Sequence, residues 1–429
     1  MSATCVIGMQ WGDEAKGKLV DLLSDDFEIV VRYQGGANAG HTVVRDGETY
    51  KLSLVPSGIF RPEVQCVVAG GVVIHPPRMI KEMDELRGRD VVIDKNLMIS
   101  DRAHIVFPWH LEEERILEGR RNEANAIGTT KRGIGPCYRD KAGRVQAVRF
   151  GDLFRDRFPE QVRGIVEEKN LILAALSEGQ EFTPLDAGAI IDEYQGYAEK
   201  MRIHLGDSTA FLLDAVEADR KILMEGAQGA LLDMDHGTYP FVTSSNSSGA
   251  GIASGSGVPG RFVSKIIGVV KSYTTRVGGG PFPTEEHGDT GQHIRDRGQE
   301  YGTVTGRPRR CGWFDAVAVR YAARLSGVDV IAATLLDVLS ELPELKICSA
   351  YRINGKKTRD FPSHVEDLAQ VEPVYETLPG WQSEISHLRR IEDLPAEARG
   401  YLKRLSEVVG RPVEIVSVGP DRKETMFAN

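Results

Sequence analysis

The 429-residue chain has few cysteines, no long apolar run and no basic excess, and each shortage excludes something. Its five cysteines (Cys5, Cys66, Cys137, Cys311 and Cys348) are scattered, odd in number and without CxxC spacing. That argues against a disulfide framework or a structural zinc site and points to a reducing compartment. No run approaches the ~18 apolar residues of a membrane span. The N-terminus, MSATCVIGMQW, lacks the basic and long apolar regions of a secretory signal. A cytoplasmic setting without membrane attachment is therefore expected. The net charge of −9 disfavours a general electrostatic grip on nucleic acid. Internal repeats and low-complexity linkers are also missing, so a single domain over 1–429 with inserted helical and loop subregions is expected.

What the chain does contain is an apolar fraction of 41%, enough for a sizeable core. Short β-branched runs recur at 4–9, 28–33, 65–71, 261–270 and 328–338. Runs of this kind between helical segments predict buried strands of a largely parallel sheet. In 186–205, Ala187, Ile191, Tyr194, Ala198, Met201 and Leu205 recur three or four apart, predicting a helix with one apolar face. Phe314, Val317, Tyr321, Ala322 and Leu325 do the same in 313–326. The expected fold is α/β: a large central, mostly parallel sheet flanked by helices, P-loop-like, with insertions. The Gly/Ser-rich stretch 243–260 reads either as an ordered, ligand-facing loop or as a hinge.

The first apolar run leads into GDEAKGK, Gly12 to Lys18. Its Gly and Lys spacing is that of a loop whose backbone amides, at a helix N-terminus, face phosphate oxygens. Yet Leu19 stands where a triphosphate loop has its metal-holding Ser or Thr, and Asp13 sits inside the loop. Three readings of Asp13 remain open: a Mg²⁺ ligand replacing the hydroxyl, a general base, or a helix cap. In RYQGGANAGHTVV, small residues flank Asn38 and His41, allowing close backbone approach, with an imidazole suited to proton transfer or charge stabilisation. Between 127 and 144, Thr129, Thr130, Lys131, Arg132 and Arg144 make either an anion site or a solvated basic turn. Arg307, Arg309 and Arg310 cluster in GTVTGRPRRCGW, and forked guanidiniums suit a dicarboxylate or a phosphate.

Together these segments resemble the adenylosuccinate synthetase family. QWGDEAKGK, VRYQGGANAGHT, KRGIGPCYRDK, EGAQGALLDMDHGTYPFVTSSN, TRVGGGPFPTE, TGRPRRCGW and SVGPDRKETM occur in that family's order across almost the whole chain. The resemblance implies a cytoplasmic homodimer that makes adenylosuccinate from IMP, L-aspartate and GTP with Mg²⁺, through a 6-phosphoryl-IMP intermediate. It implies catalytic roles for Asp13, Lys16, His41 and Gln228, with Asp13 and the Gly40 carbonyl as metal ligands. GTP would meet Gly12, Glu14, Ala15, Lys16, Gly17, Lys18, Gly40, His41 and Thr42, and its base Asp337, Ser417 and Gly419. IMP would meet Asp13, Asn38, Thr130, Gln228, Thr243 and Arg307, with Arg144 reaching in from the other subunit. L-Aspartate would meet Thr305, Arg307 and Arg309.

Three positions depart from the family pattern: Ala15 where Gly is usual, Lys131 where Gly is usual, and Leu335 where Lys is typical. If position 15 needs a positive φ, alanine costs about 1 kcal/mol or shifts the loop. Asp337 preserves the argument for guanine, because a carboxylate accepts from guanine N1–H and N2 but faces an acceptor at adenine N1. The rival readings are a synthetase with a changed substrate, such as ATP or dGMP, and a nucleotide-binding regulator without chemistry. The dGMP-type relative lacks the loop aspartate, so Asp13 points back to the IMP enzyme, and a regulator would be expected to lose Asp13, His41 or the Arg cluster, all present here.

Overall fold

The computed structural model describes residues 3–120, 129–178, 182–301 and 308–428. Among these residues ten strands form one sheet: β1 (Ala3–Gly8), β2 (Ile29–Arg32), β3 (Gln65–Val68), β4 (Leu97–Ser100), β5 (Leu205–Gly206), β6 (Ile222–Gly229), β7 (Val263–Lys271), β8 (Val330–Thr334), β9 (Val413–Ser417) and β10 (Thr425–Phe427). Their order is β10-β9-β8-β7-β1-β6-β2-β3-β4-β5. Every neighbouring pair is parallel except the edge strand β10, which runs antiparallel to β9. Helices cover both faces, so the expected α/β architecture is the observed one.

The apolar runs read as strands because both of their faces are buried. In β1, Cys5 and Ile7 enter one core while Val6 enters the other. Ile29 and Val31 likewise part company with Val30, and Met224 with Leu223. Alternation at period two thus distributes each strand between two cores on opposite sides of the sheet.

Two expectations are corrected at their ends. The helix expected over 186–205 spans Ala187–Met201, followed by a tight turn at Arg202–His204 and by β5. The run 328–338 is strand only over Val330–Thr334, because Leu335 is left-handed and starts the short turn Leu336–Leu339, which carries Asp337. The Gly/Ser-rich stretch is packed rather than hinge-like: Ser245, Ser247, Ser248 and Ser256 are buried, and Gly251–Ser256 is helical.

Parallel strands bring their carboxyl ends to one edge, the place where ligands bind in open α/β sheets. The loops leaving β1, β2, β6, β8 and β9 meet there. They supply residues to a single cavity of about 550 Å³.

Candidate active site

The first loop shapes the centre of the cavity. Helix α1 (Lys16–Leu23) begins directly after Ala15, whose φ of 66° and ψ of 32° are left-handed, and no side chain caps it. The amides of its first turn therefore have no intrahelical partner and stand at the positive end of a helix dipole. Asp13 is thus not the helix cap. Its carboxylate, 34% exposed, meets Arg309 Nε at 3.0 Å. Glu14 behaves differently from its neighbour. Fully buried, its Oε1 accepts from Gln10 N (3.1 Å) and Gly12 N (2.9 Å), while Lys16 Nζ donates to its Oε2 at 2.6 Å.

His41 heads a hairpin, His41–Arg45 paired with Glu48–Leu52, that lies against the start of α1. A Cβ on Gly17 would fall 2.7 Å from His41 Cβ, so only glycine admits the imidazole here. Nδ1 pairs with Glu225, and Nε2 is buried without a partner. Burial lowers the His41 pKa, more than its contact with Glu225 raises it. The ring is therefore neutral, with Nδ1–H donating and Nε2 bare. Burial pushes Glu225 upward, but His41, Arg32 and the Ser57 amide outweigh it and keep it below the usual carboxylate range. Glu225 was not singled out from sequence; a lone acid inside the apolar run ILMEGA was the available signal.

Gln228, next to last in β6, has φ 56°, and both polar atoms of its amide are buried and unpartnered. Asn38 accepts from Gly36 N at 3.1 Å and donates to Thr243 Oγ1 at 3.2 Å, which joins two of the expected ligand residues directly. Thr130, Gly40, Thr42, Ser417 and Gly419 line the same cavity.

Lys18 points away from the first loop. Its Nζ donates to Ser417 Oγ and to the Gly419 carbonyl, both at 2.7 Å. Burial lowers its pKa to about 8. Asp337 lies beside this group rather than on the cavity lining, with Oδ1 buried and unpartnered, and burial raises its pKa to about 6. Arg144, at the end of the helix Ile134–Gly143, is exposed and outside this cavity. Thr305 and Arg307 lie outside the described residues. Ala15, Lys131 and Leu335, the three departures, all adopt positive φ (66°, 54° and 56°).

A family model for adenylosuccinate synthetase matches residues 5–426. The chain belongs to the adenylosuccinate synthetase family. An adenylosuccinate synthetase of Caldanaerobacter subterraneus is 48% identical over 428 residues, covering 99% of each chain. That of Heliobacterium modesticaldum is 50% identical over 430 residues, again with 99% of each covered. Among solved structures, a fully ligated adenylosuccinate synthetase from Plasmodium falciparum superposes with a TM-score of 0.93 at 37% identity, covering all of both chains. A succinoaminodeoxyadenylate synthetase of cyanophage S-2L shares the fold at a TM-score of 0.60 and 19% identity, over 99% of this chain and 95% of that one. As an adenylosuccinate synthetase family member the chain is an enzyme, a ligase of purine biosynthesis. Among the described residues no helix is long and apolar enough to cross a membrane.

The left-handed Ala15 generates a prediction. A Cβ in that conformation costs about 1 kcal/mol, so Ala15→Gly should stabilise the protein by up to that amount despite glycine's freer unfolded chain. Thermal unfolding at matched conditions checks it; a lower melting temperature would show that the Ala15 methyl contributes more by packing than its backbone costs.

Proposed function

We propose that this chain joins IMP to L-aspartate at the expense of GTP, giving adenylosuccinate, GDP and phosphate through a 6-phosphoryl-IMP intermediate. The observation that carries the reading is the convergence of Asp13, the bare His41 Nε2 and the orphaned Gln228 amide on one cavity at the open end of α1. Polar atoms left unsatisfied in an otherwise well-paired interior mark where a ligand completes the hydrogen bonding.

In this reading Asp13 takes the N1 proton of IMP, and electron density moves to O6, which attacks the γ-phosphorus of GTP as GDP leaves. Phosphoryl transfer depends on positioning and on stabilising charge. The amides of α1 and Lys16 serve that purpose, Lys16 turning from Glu14 to phosphate. A triphosphate beside His41 raises its pKa, so that Nε2 gains a proton and donates to the transferring group. Gln228 holds the purine ring. The amine of aspartate then attacks C6, the C–O bond breaks, and phosphate departs with the O6 oxygen.

The residues present also fit Mg²⁺, which takes one or two protein oxygens and completes its shell with water and phosphate. Asp13 and the Gly40 carbonyl, both on the cavity lining, would hold it. When bound, the ion neutralises phosphate charge and orients the oxygens. Asn38, Thr130 and Thr243 bind IMP, and Arg309 joins Thr305 and Arg307 at the aspartate carboxylates. The exposed Arg144 completes the IMP site of a partner subunit in a cytoplasmic homodimer. Asp337, Ser417 and Gly419 surround guanine. Leu335 removes the charge that relatives typically place there, leaving Asp337 to select GTP over ATP.

An absorbance assay for adenylosuccinate with IMP, aspartate and either GTP or ATP tests this, with product expected from GTP and little from ATP. Asp13→Ala should lower turnover by about 10²–10⁴-fold while GTP affinity stays nearly constant. Turnover within tenfold of the parent would remove Asp13 as the base.

A pH dependence follows from Asp337. Its carboxylate, with a pKa near about 6, is ionised above that value and gains a proton as pH falls through it. Only the ionised form accepts from both guanine N–H groups, so kcat/KM for GTP should fall between about pH 7 and pH 5. Asp337→Asn should flatten that limb relative to a parent curve corrected for kcat. A parent curve without the limb would contradict the guanine assignment.

A further inference from the structure

One wall of the cavity, formed in part by Trp11, Phe241, Val277 and Gly279, is backed by a buried cation that the chemistry above does not use. Arg276 is 1% exposed, and its guanidinium carbon lies 4.9 Å from the Trp11 ring centroid. Nη1 donates to the Pro281 carbonyl and Nη2 to Thr238 Oγ1 at 3.1 Å, while Nε is buried without a partner. Among the described residues no carboxylate ion-pairs with it. Burial and the nearby Arg310 draw its pKa down to about 9 against the opposing pull of Glu285, still above neutrality, so the charge persists.

Its position makes the charge more costly still. In the antiparallel ribbon of Thr274–Arg276 and Arg310–Gly312, Arg276 stands directly opposite Arg310. Like charges in cross-strand register repel. Arg310 is neutralised by Glu285, with Nε 2.8 Å from Oε1; Arg276 is not. An unpaired buried charge is a several-kcal/mol liability that an apolar side chain would remove. Packing alone does not call for arginine at this position.

The surroundings do. Gly280, at φ 96°, folds over the guanidinium so closely that a Cβ there would lie 2.3 Å from Nη2. Arg310 Nη1 donates to the Gly280 carbonyl at 2.7 Å, and the preceding residue, Arg309, holds Asp13. Arg276 thus ties together the glycine turn at 278–280, the Thr238–Phe241 segment leading to Thr243, and the strand that presents the Arg cluster.

We propose that Arg276 is a positioning residue for the dicarboxylate substrate, holding the glycine turn and the Arg309 strand in place and setting a positive charge without a direct ion pair behind the wall where carboxylates dock. The proposal rests on the aspartate reading above. Arg276 touches no reacting atom; it acts through the turn, through Arg309 and through its field.

The test is a full kinetic comparison of the wild-type chain with Arg276→Met and Arg276→Lys, measuring KM for aspartate, IMP and GTP separately, with kcat. Arg276→Met should raise the aspartate KM about tenfold or more, because both the anchor of the turn and the positive field behind the wall are lost. The IMP and GTP values should stay within about threefold. Arg276→Lys, which keeps the charge and loses the fork, should fall between the two. An unchanged aspartate KM, or all three values rising together, overturns the proposal. If Arg276→Met does not fold, Thr238→Val, which removes one acceptor and leaves the charge, decides by the same selective rise or its absence. A wild-type chain that makes no adenylosuccinate overturns the functional reading and this proposal together. Wild-type turnover with unselective variants overturns the proposal alone.

Discussion

A carboxylate buried inside the phosphate loop is the constraint on which the rest of this site depends. Glu14 carries full burial because three donors surround it: the amides of Gln10 and Gly12 and the ammonium of Lys16. A buried carboxylate lacking such partners would cost several kcal/mol or take up a proton. The internal anion fixes the loop's path before any ligand arrives, and it engages two amides that an ordinary phosphate loop would leave for its ligand. The first-turn amides of α1 are left without a side-chain partner, and Lys16 rests on Glu14. Leu19 stands where the usual loop has its hydroxyl, and the outward-facing acid of this loop is Asp13, partly exposed and paired with Arg309.

The same division between satisfied and unsatisfied groups runs through the cavity. Signs alternate along a chain from Asp13 to Arg309, then to Glu300 (2.8 Å) and on to Lys271 (2.6 Å), so that the innermost charges are neutralised in pairs. Glu225, anchored by the Ser57 amide at 2.7 Å, fixes one nitrogen of His41 and leaves the other bare. Lys18 is held by Ser417 and Gly419, but Asp337 beside it keeps one oxygen without a donor. Among the unpartnered buried atoms, His41 Nε2, both amide atoms of Gln228 and Asp337 Oδ1 lie on or beside the cavity. Arg276, behind the wall, is a buried charge that no carboxylate ion-pairs among the described residues.

Much of this was legible in the chain itself. The apolar runs announced the parallel strands because burial on both faces leaves little room for polar residues, and the loop motif placed α1 after β1. The sequence also showed that Ala15 and Leu335 were unusual, although only the backbone shows that both are left-handed. What could not be read was which partner each charge chooses. Lys16 and Lys18 are two residues apart and chemically alike, yet one turns to Glu14 and the other to a loop about 400 residues later in sequence. The Glu225–His41 contact, across 184 residues, and the Arg276–Arg310 register are likewise products of topology. The helix expected to reach residue 205 stopped at Met201 because β5 claims Leu205 for the sheet, a tertiary demand that overrides helical periodicity.

The central claim is that phosphate moves from GTP to IMP before aspartate takes part, with His41 stabilising the transfer. Positional isotope exchange in GTP labelled at the β,γ-bridge oxygen, measured with IMP present and aspartate absent, tests it most directly. The label should scramble with the parent enzyme only when IMP is present, and the scrambling should be lost in His41→Asn. Scrambling retained in His41→Asn, or none in the parent enzyme with IMP, would contradict it.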